Sequence, residues 1–189
     1  DLNGFALNVN NSTGTGLKVK GGGAVEYINE GTTGSFNVTG YEFGVWAEDA
    51  GTVVRVTNAT SGGSTAYNYA VFAKNSAEVI VENDVTVSGQ YSTGISANGG
   101  VVTVGGSVTL TDGNVGVGIE VFNEGSVIVE GSVTAIGGGS KGISATNADI
   151  SVGGDVVGEY IGVRAEASFI EVAGNVASSA PAEAGPSYG

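Results

Sequence analysis

Apolar residues recur along this chain in short alternating pairs rather than in long runs. One motif sets the period: Gly or Ala, a branched aliphatic, any residue, then Ala or Val. It stands at Gly16-Leu17-Lys18-Val19, Gly44-Val45-Trp46-Ala47, Ala70-Val71-Phe72-Ala73, Gly94-Ile95-Ser96-Ala97, Gly118-Ile119-Glu120-Val121, Gly142-Ile143-Ser144-Ala145 and Gly162-Val163-Arg164-Ala165. Gly16 lies 28 residues before Gly44, and later copies start 26, 24, 24, 24 and 20 residues apart. A second alternating pair follows each copy from Gly44 onward: Val54/Val56, Val79/Val81, Val102/Val104, Val127/Val129, Ile150/Val152 and Ile170/Val172. A third follows at once, as Val85/Val87, Val108/Leu110, Val133/Ala135, Val156 and Val176. In the first coil Val25/Tyr27 and Phe36/Val38 take these places. Period-two alternation puts each pair on one face of a strand.

Three short strands and three bends in a repeat of ~24 residues predict an all-β parallel β-helix (β-solenoid) of about six to seven coils. A coil cannot bury enough alone, so stability has to come from stacking on its neighbours. Helix is ruled out by glycine in every window and by the lack of a 3.6-residue pattern. An antiparallel sandwich explains the strand spacing but not corners identical at a fixed repeat. Two residues after each second pair stand Asn58, Asn83, Gly106, Gly131, Gly154 and Gly174. Both residue types tolerate positive φ, which predicts a repeated left-handed corner there.

The domain reading follows. Residues 1–178 form the β-helix, with clear repeats over 16–178 and a partial coil or cap over 1–15. Residues 179–189, which hold both prolines, read as a linker or disordered tail. The chain opens abruptly on Asp1-Leu2-Asn3-Gly4, as a segment of a longer protein would, with neighbouring coils or domains expected at its ends.

Composition narrows the partners. The chain has 35 Gly and only 2 Pro, without a collagen period. It has no Cys, no His and no Met, so the usual zinc and copper ligands are missing and no disulfide framework exists. Nineteen acids against six bases give a net charge of −13, which argues against nucleic acid and anionic membrane surfaces as partners. No apolar run reaches the length of a membrane helix, and no membrane insertion is expected.

The run Gly94-Ile95-Ser96-Ala97 followed by Val102-Thr103-Val104-Gly105-Gly106-Ser107-Val108-Thr109 resembles the repeats of bacterial cell-surface adhesins and autotransporter passengers, whose β-helices are right-handed and pectate-lyase-like. The resemblance covers residues 16–178 as a style of repeat. It implies a right-handed helix, secretion or display on the bacterial surface, and a spacer or adhesive role toward a host glycan or surface protein.

That fold also carries enzymes acting on polysaccharides, which work through clustered carboxylates. The outward positions of the first strand are Trp46/Glu48, Phe72/Lys74, Ser96/Asn98, Glu120/Phe122, Ser144/Thr146 and Arg164/Glu166, with no acids on adjacent coils. Asp84 and Asp155 share a column three coils apart, and Glu48-Asp49 reads as a solvated turn. The expectation is a protein with no catalytic residues, no metal and no cofactor. A polysaccharide-binding or polysaccharide-active β-helix is the alternative. Thr111-Asp112-Gly113-Asn114 reads as turn chemistry rather than a calcium loop, and the column Thr86, Thr109, Thr134 as a strand ladder rather than an ice-binding array.

One group stands out as a candidate ligand site. Tyr41, Tyr67 and Tyr91 each precede the first strand by three residues, Trp46 and Phe72 share an outward column one coil apart, and Tyr69 and Phe43 lie close in sequence. Stacked aromatics could seat a sugar ring or a protein partner. The competing reading packs the tyrosines under the turns and covers Trp46 with a long loop at Thr57–Ala66.

Overall fold

The computed structural model describes residues 5–27, 34–63, 67–111 and 115–179. These build three parallel sheets and, among the described residues, no helix. The chain visits the sheets in rotation, so each turn lays one new strand on every sheet, for about six turns of ~24 residues. Sheet A has eight strands, from Ala6–Asn10 and Ser35–Gly40 to Val156–Gly158 and Val176–Ser178. Sheet B has seven, from Thr15–Lys20 and Phe43–Glu48 to Ile161–Glu166, and sheet C seven, from Ala24–Val25 and Val53–Val56 to Phe169–Val172. The strand Ala6–Asn10 pairs with Ser35–Gly40, so the N-terminal segment is the last strand of a partial coil. Residues 64–66 of the expected Thr57–Ala66 loop, residues 112–114 of the turn after Thr111 and the tail from 180 lie outside the described residues.

The register converts the repeat into columns. On sheet B, Val45, Val71, Ile95, Ile119 and Ile143 stand one above another and are fully buried. Val54, Val79, Val102, Val127 and Ile150 do the same on sheet C. Val85, Val108, Val133 and Val156 do so on sheet A. The inward pairs read from sequence are therefore the core, except at the two ends, where Val25, Tyr27, Ile170 and Val172 are only partly buried and Val176 is exposed.

The expected left-handed corner is not where the glycines suggested. Asn58, Asn83, Gly106, Gly131, Gly154 and Gly174 all lack positive φ. From Gly106 onward the corner is glycine because the coils approach closely there. A Cβ on Gly131 would lie 2.5 Å from Ser107 Oγ and 2.6 Å from the Gly106 carbonyl oxygen; one on Gly154 would lie 2.4 Å from Ser132 Oγ. The space is used by a hydrogen-bond ladder. The Ser107 N–H donates to Asp84 Oδ1 (2.8 Å), Ser132 N–H to Ser107 Oγ (3.1 Å), Asp155 N–H to Ser132 Oγ (3.1 Å) and Asn175 N–H to Asp155 Oδ1 (2.7 Å). Toward the N-terminus the ladder continues with the Asp84 N–H donating to Asn58 Oδ1 (3.2 Å), and then through side chains alone, Asn58 Nδ2 to Asn37 Oδ1 (2.8 Å) and Asn37 Nδ2 to Asn8 Oδ1 (2.9 Å). Asn58 thus stands in the column of Asp84, and Thr57 holds the corner place, its carbonyl accepting the Asn83 N–H at 2.9 Å.

Positive φ occurs instead where sheet B hands over to sheet C. Where the turn is short, one residue takes it: Gly99 (64°), Asn147 (51°) or Ala167 (48°). Where the turn is a residue longer, two do: Asn75 and Ser76 (54° and 63°), Asn123 and Glu124 (56° and 62°). Non-glycine residues enter this region at a cost. Bonds to the next coil hold them there, such as Asn75 N–H to the Asn98 carbonyl (3.0 Å) and Glu124 N–H to the Asn147 carbonyl (2.7 Å).

The supposed loop from Thr57 is largely strand. Asn58–Gly62 pairs with sheet A on both sides and buries Ala59 and Ser61, so it does not fold over Trp46. It also extends the threonine column to five coils: Thr39, Thr60, Thr86, Thr109 and Thr134.

The close approach predicts a contrast. Gly131→Ala should lose about 1–3 kcal/mol, the cost of forcing a methyl into a packed corner. Gly138→Ala, with nothing within 4 Å of its added Cβ, should stay within about 0.5 kcal/mol. Urea unfolding of the two variants beside the parent measures both.

Candidate functional site: the outer face of sheet B

Sheet B presents three outward columns. The first is Thr15, Phe43, Tyr69, Thr93, Val117, Lys141, Ile161. The second is Lys18, Trp46, Phe72, Ser96, Glu120, Ser144, Arg164. The third is Lys20, Glu48, Lys74, Asn98, Phe122, Thr146, Glu166. Five of the chain's six basic residues lie in these columns; Arg55, on sheet C, is the sixth.

Strict alternation would turn Phe43 and Tyr69 inward. They face out because two successive residues, Gly44-Val45 and Ala70-Val71, are both buried. The first of each pair sits where the coils nearly touch: a Cβ on Gly44 would lie 2.5 Å from the Ala70 carbonyl oxygen.

The four rings of the second and third coils form one plate. Phe43 stacks on Tyr69 (centroids 5.2 Å apart, planes at 8°) and lies 4.6 Å from Trp46. Phe72 meets Trp46 at 5.2 Å and Tyr69 at 5.5 Å, both edge-on. Such pairings each add about 0.5–1.5 kcal/mol beyond burial. Lys18 Nζ stands 3.6 Å from the Trp46 ring centroid, a cation–π contact, with Lys74 Nζ at 5.9 Å. Glu48 ties the edge together, accepting from Trp46 Nε1 at 3.2 Å and pairing with Lys74 at 2.9 Å. The Lys74 hydrogen bond holds the Glu48 carboxyl below its ordinary value.

Of the five aromatic residues singled out from sequence, the structure joins Trp46 and Phe72 and separates the tyrosines from them. Tyr67 and Tyr91 stack on each other at 5.8 Å in the turns between sheets A and B, 64% and 45% exposed, with φ of 85° and 54°. They do not pack under the turns. Tyr41 is half-buried in the equivalent turn, its N–H bonded to the Gly14 carbonyl at 2.7 Å. Phe43 and Tyr69, noted from sequence only as lying close to that group, complete the plate, and Lys141, which sequence reasoning passed over, brings a fifth cation to the face.

Farther along the face, burial raises the pKa of the Glu120 carboxyl against the pull of Lys141. Burial, and then the charge of Glu120, also raise that of Tyr69. Among the described residues no group of three or more Asp and Glu side chains converges as a metal site, and no helix is long and apolar enough to cross a membrane. Compared with known protein families, curated proteins and solved structures, the chain matches none.

Glu120 gives a pH prediction. The unfolded chain releases this proton first as pH climbs, so the stability tied to it is full below the ordinary carboxylate pKa and is lost as pH rises through the raised folded value. Glu120→Gln should therefore be more stable than the parent at neutral pH, by at most about 1 kcal/mol since the Lys141 attraction goes too. The gap should close in acid. Thermal melts of both proteins across pH read it out.

Proposed function

We propose that this chain is a structural and adhesive β-helical segment of a secreted or surface-displayed bacterial protein. It serves as a stiff rod that carries one contact face. The observation that supports it most is the gathering of four aromatic rings and five of the six basic residues on sheet B. Unbroken ladders from the first coil to the last make the rod a scaffold, and outward columns make a contact surface that needs no pocket. The bacterial surface location rests on the resemblance of the repeats.

The role is binding without turnover. Glycoside hydrolysis needs two carboxylates flanking one bond. On this face Glu48 is engaged by Lys74 and Trp46, and Glu120 and Glu166 stand in separate columns two coils apart. A polysaccharide-binding rod is the second reading, favoured by the cluster of Phe43, Tyr69, Trp46 and Phe72, since aromatic side chains suit the apolar faces of sugars.

A panel of immobilised glycans and host matrix proteins tests the contact face. At least one member should bind, with affinity falling roughly tenfold or more in Trp46→Ser and Phe72→Ser and unchanged in Thr86→Lys on sheet A. Silence across the panel, or cleavage of a bound glycan, would overturn the proposal.

A further inference from the structure

We infer that the outer face of sheet B takes an acidic glycan of low charge density, one whose carboxylates are separated by neutral sugars, lying along the axis of the rod. This rests on that face being the contact surface.

The first ground is charge. Five of six basic residues and three of nineteen acids, Glu48, Glu120 and Glu166, occupy the outward columns of sheet B. The face carries a formal +2 while the rest of the molecule carries −15. An anionic ligand is therefore attracted to one face and repelled by the remainder, which orients it. The same imbalance selects against dense polyanions. A nucleic acid, with one charge per roughly 1.7 Å of duplex, would meet the surrounding acids at every approach.

The second ground is spacing. Lys18 and Lys74 come from the coils on either side of Trp46, their Nζ atoms 3.6 and 5.9 Å from its ring centroid, with Lys74 also paired to Glu48 and Lys20 beside Lys18 on the first strand. Lys141 and Arg164 supply the next cations at the far end of the face. A chain that alternates charged and neutral sugars can set carboxylates at the lysines and lay its apolar ring faces on the aromatic plate.

The third ground is what the face lacks. Its strands are bonded to neighbours on both sides through the middle coils, so at the aromatic cluster no strand edge is open for a peptide to extend. Recognition has to run through side chains.

Hyaluronan oligosaccharides, with one carboxylate per disaccharide, are the probe. Trp46, the only tryptophan, reports occupancy through its fluorescence. The parent protein should bind them, more weakly as ionic strength rises, and should bind heparin and neutral dextran less well. Lys18→Glu combined with Lys20→Glu should weaken hyaluronan binding roughly tenfold or more, whereas Arg55→Ala on sheet C should leave it unchanged. No binding at low salt, preference for heparin or dextran, or indifference to the lysine reversal would each overturn the inference. If the Trp46 and Phe72 variants still lose a neutral glycan or a protein from the panel, the ligand class is wrong and the contact face stands. If no ligand responds to any sheet B variant, both fail.

Discussion

Every feature of this molecule answers to the hydrogen bonding of each coil to the next in fixed parallel register. The ladder fixes the height of each turn at one strand separation, so all three corners must close within it. Where the chain passes from sheet C to sheet A, the side chain at one level crosses to the N–H of the next, as Asp84, Ser107, Ser132 and Asp155 do. From Gly106 onward the residue packed against that side chain is glycine, while Asn83 takes the place where Asn58 Oδ1 accepts the Asp84 N–H. Where the chain passes from sheet B to sheet C, extra length is absorbed by left-handed residues, one or two according to need. A one-residue slip would turn the whole inward set outward, and the corner contacts allow no such slip.

The same register constrains charge. Side chains in one column stand about 4.8 Å apart on adjacent coils, a separation at which like charges repel by about 1 kcal/mol even in water. The outward columns avoid it. Lys20, Glu48 and Lys74 alternate in sign. Asp84 and Asp155 are separated by two serines, and Glu82 and Glu130 are separated by Gly105, whose own Cβ would lie 2.3 Å from the Glu82 carbonyl oxygen. Polar side chains without charge can stack without limit, which suits the five-coil threonine column.

These constraints explain which parts of the structure could be read from the chain. The inward aliphatics were legible because burial on one strand face leaves a period-two trace that nothing else imitates. The corners were not. Glycine serves both positive φ and close approach, and at Gly106, Gly131, Gly154 and Gly174 the second cause operates, while positive φ fell to Asn75, Asn123 and Asn147. The strand Asn58–Gly62 was hidden because its inward residues are Ala59 and Ser61, the latter using its hydroxyl on the Tyr41 and Glu42 carbonyls rather than filling space. In the candidate site, Trp46 and Phe72 were legible as neighbours because they follow the repeat. Phe43 and Tyr69 were visible as close in sequence but not as facing outward, since paired buried residues break the alternation just after each of them.

Net charge misleads for a related reason. A total of −13 describes a sphere well and a solenoid badly. In a rod built of columns, each face is a separate string of positions drawn from every coil, and its charge is set by which residue of the repeat it samples. Sheet B samples the positions that hold Lys18, Lys20, Lys74, Lys141 and Arg164, so a basic, aromatic face persists on an acidic molecule. Opposite fields on adjacent faces do not cancel for a ligand whose contacts fall within a Debye length, about 8 Å at physiological salt. Such a ligand meets the columns beneath it, and the total matters only for how it approaches.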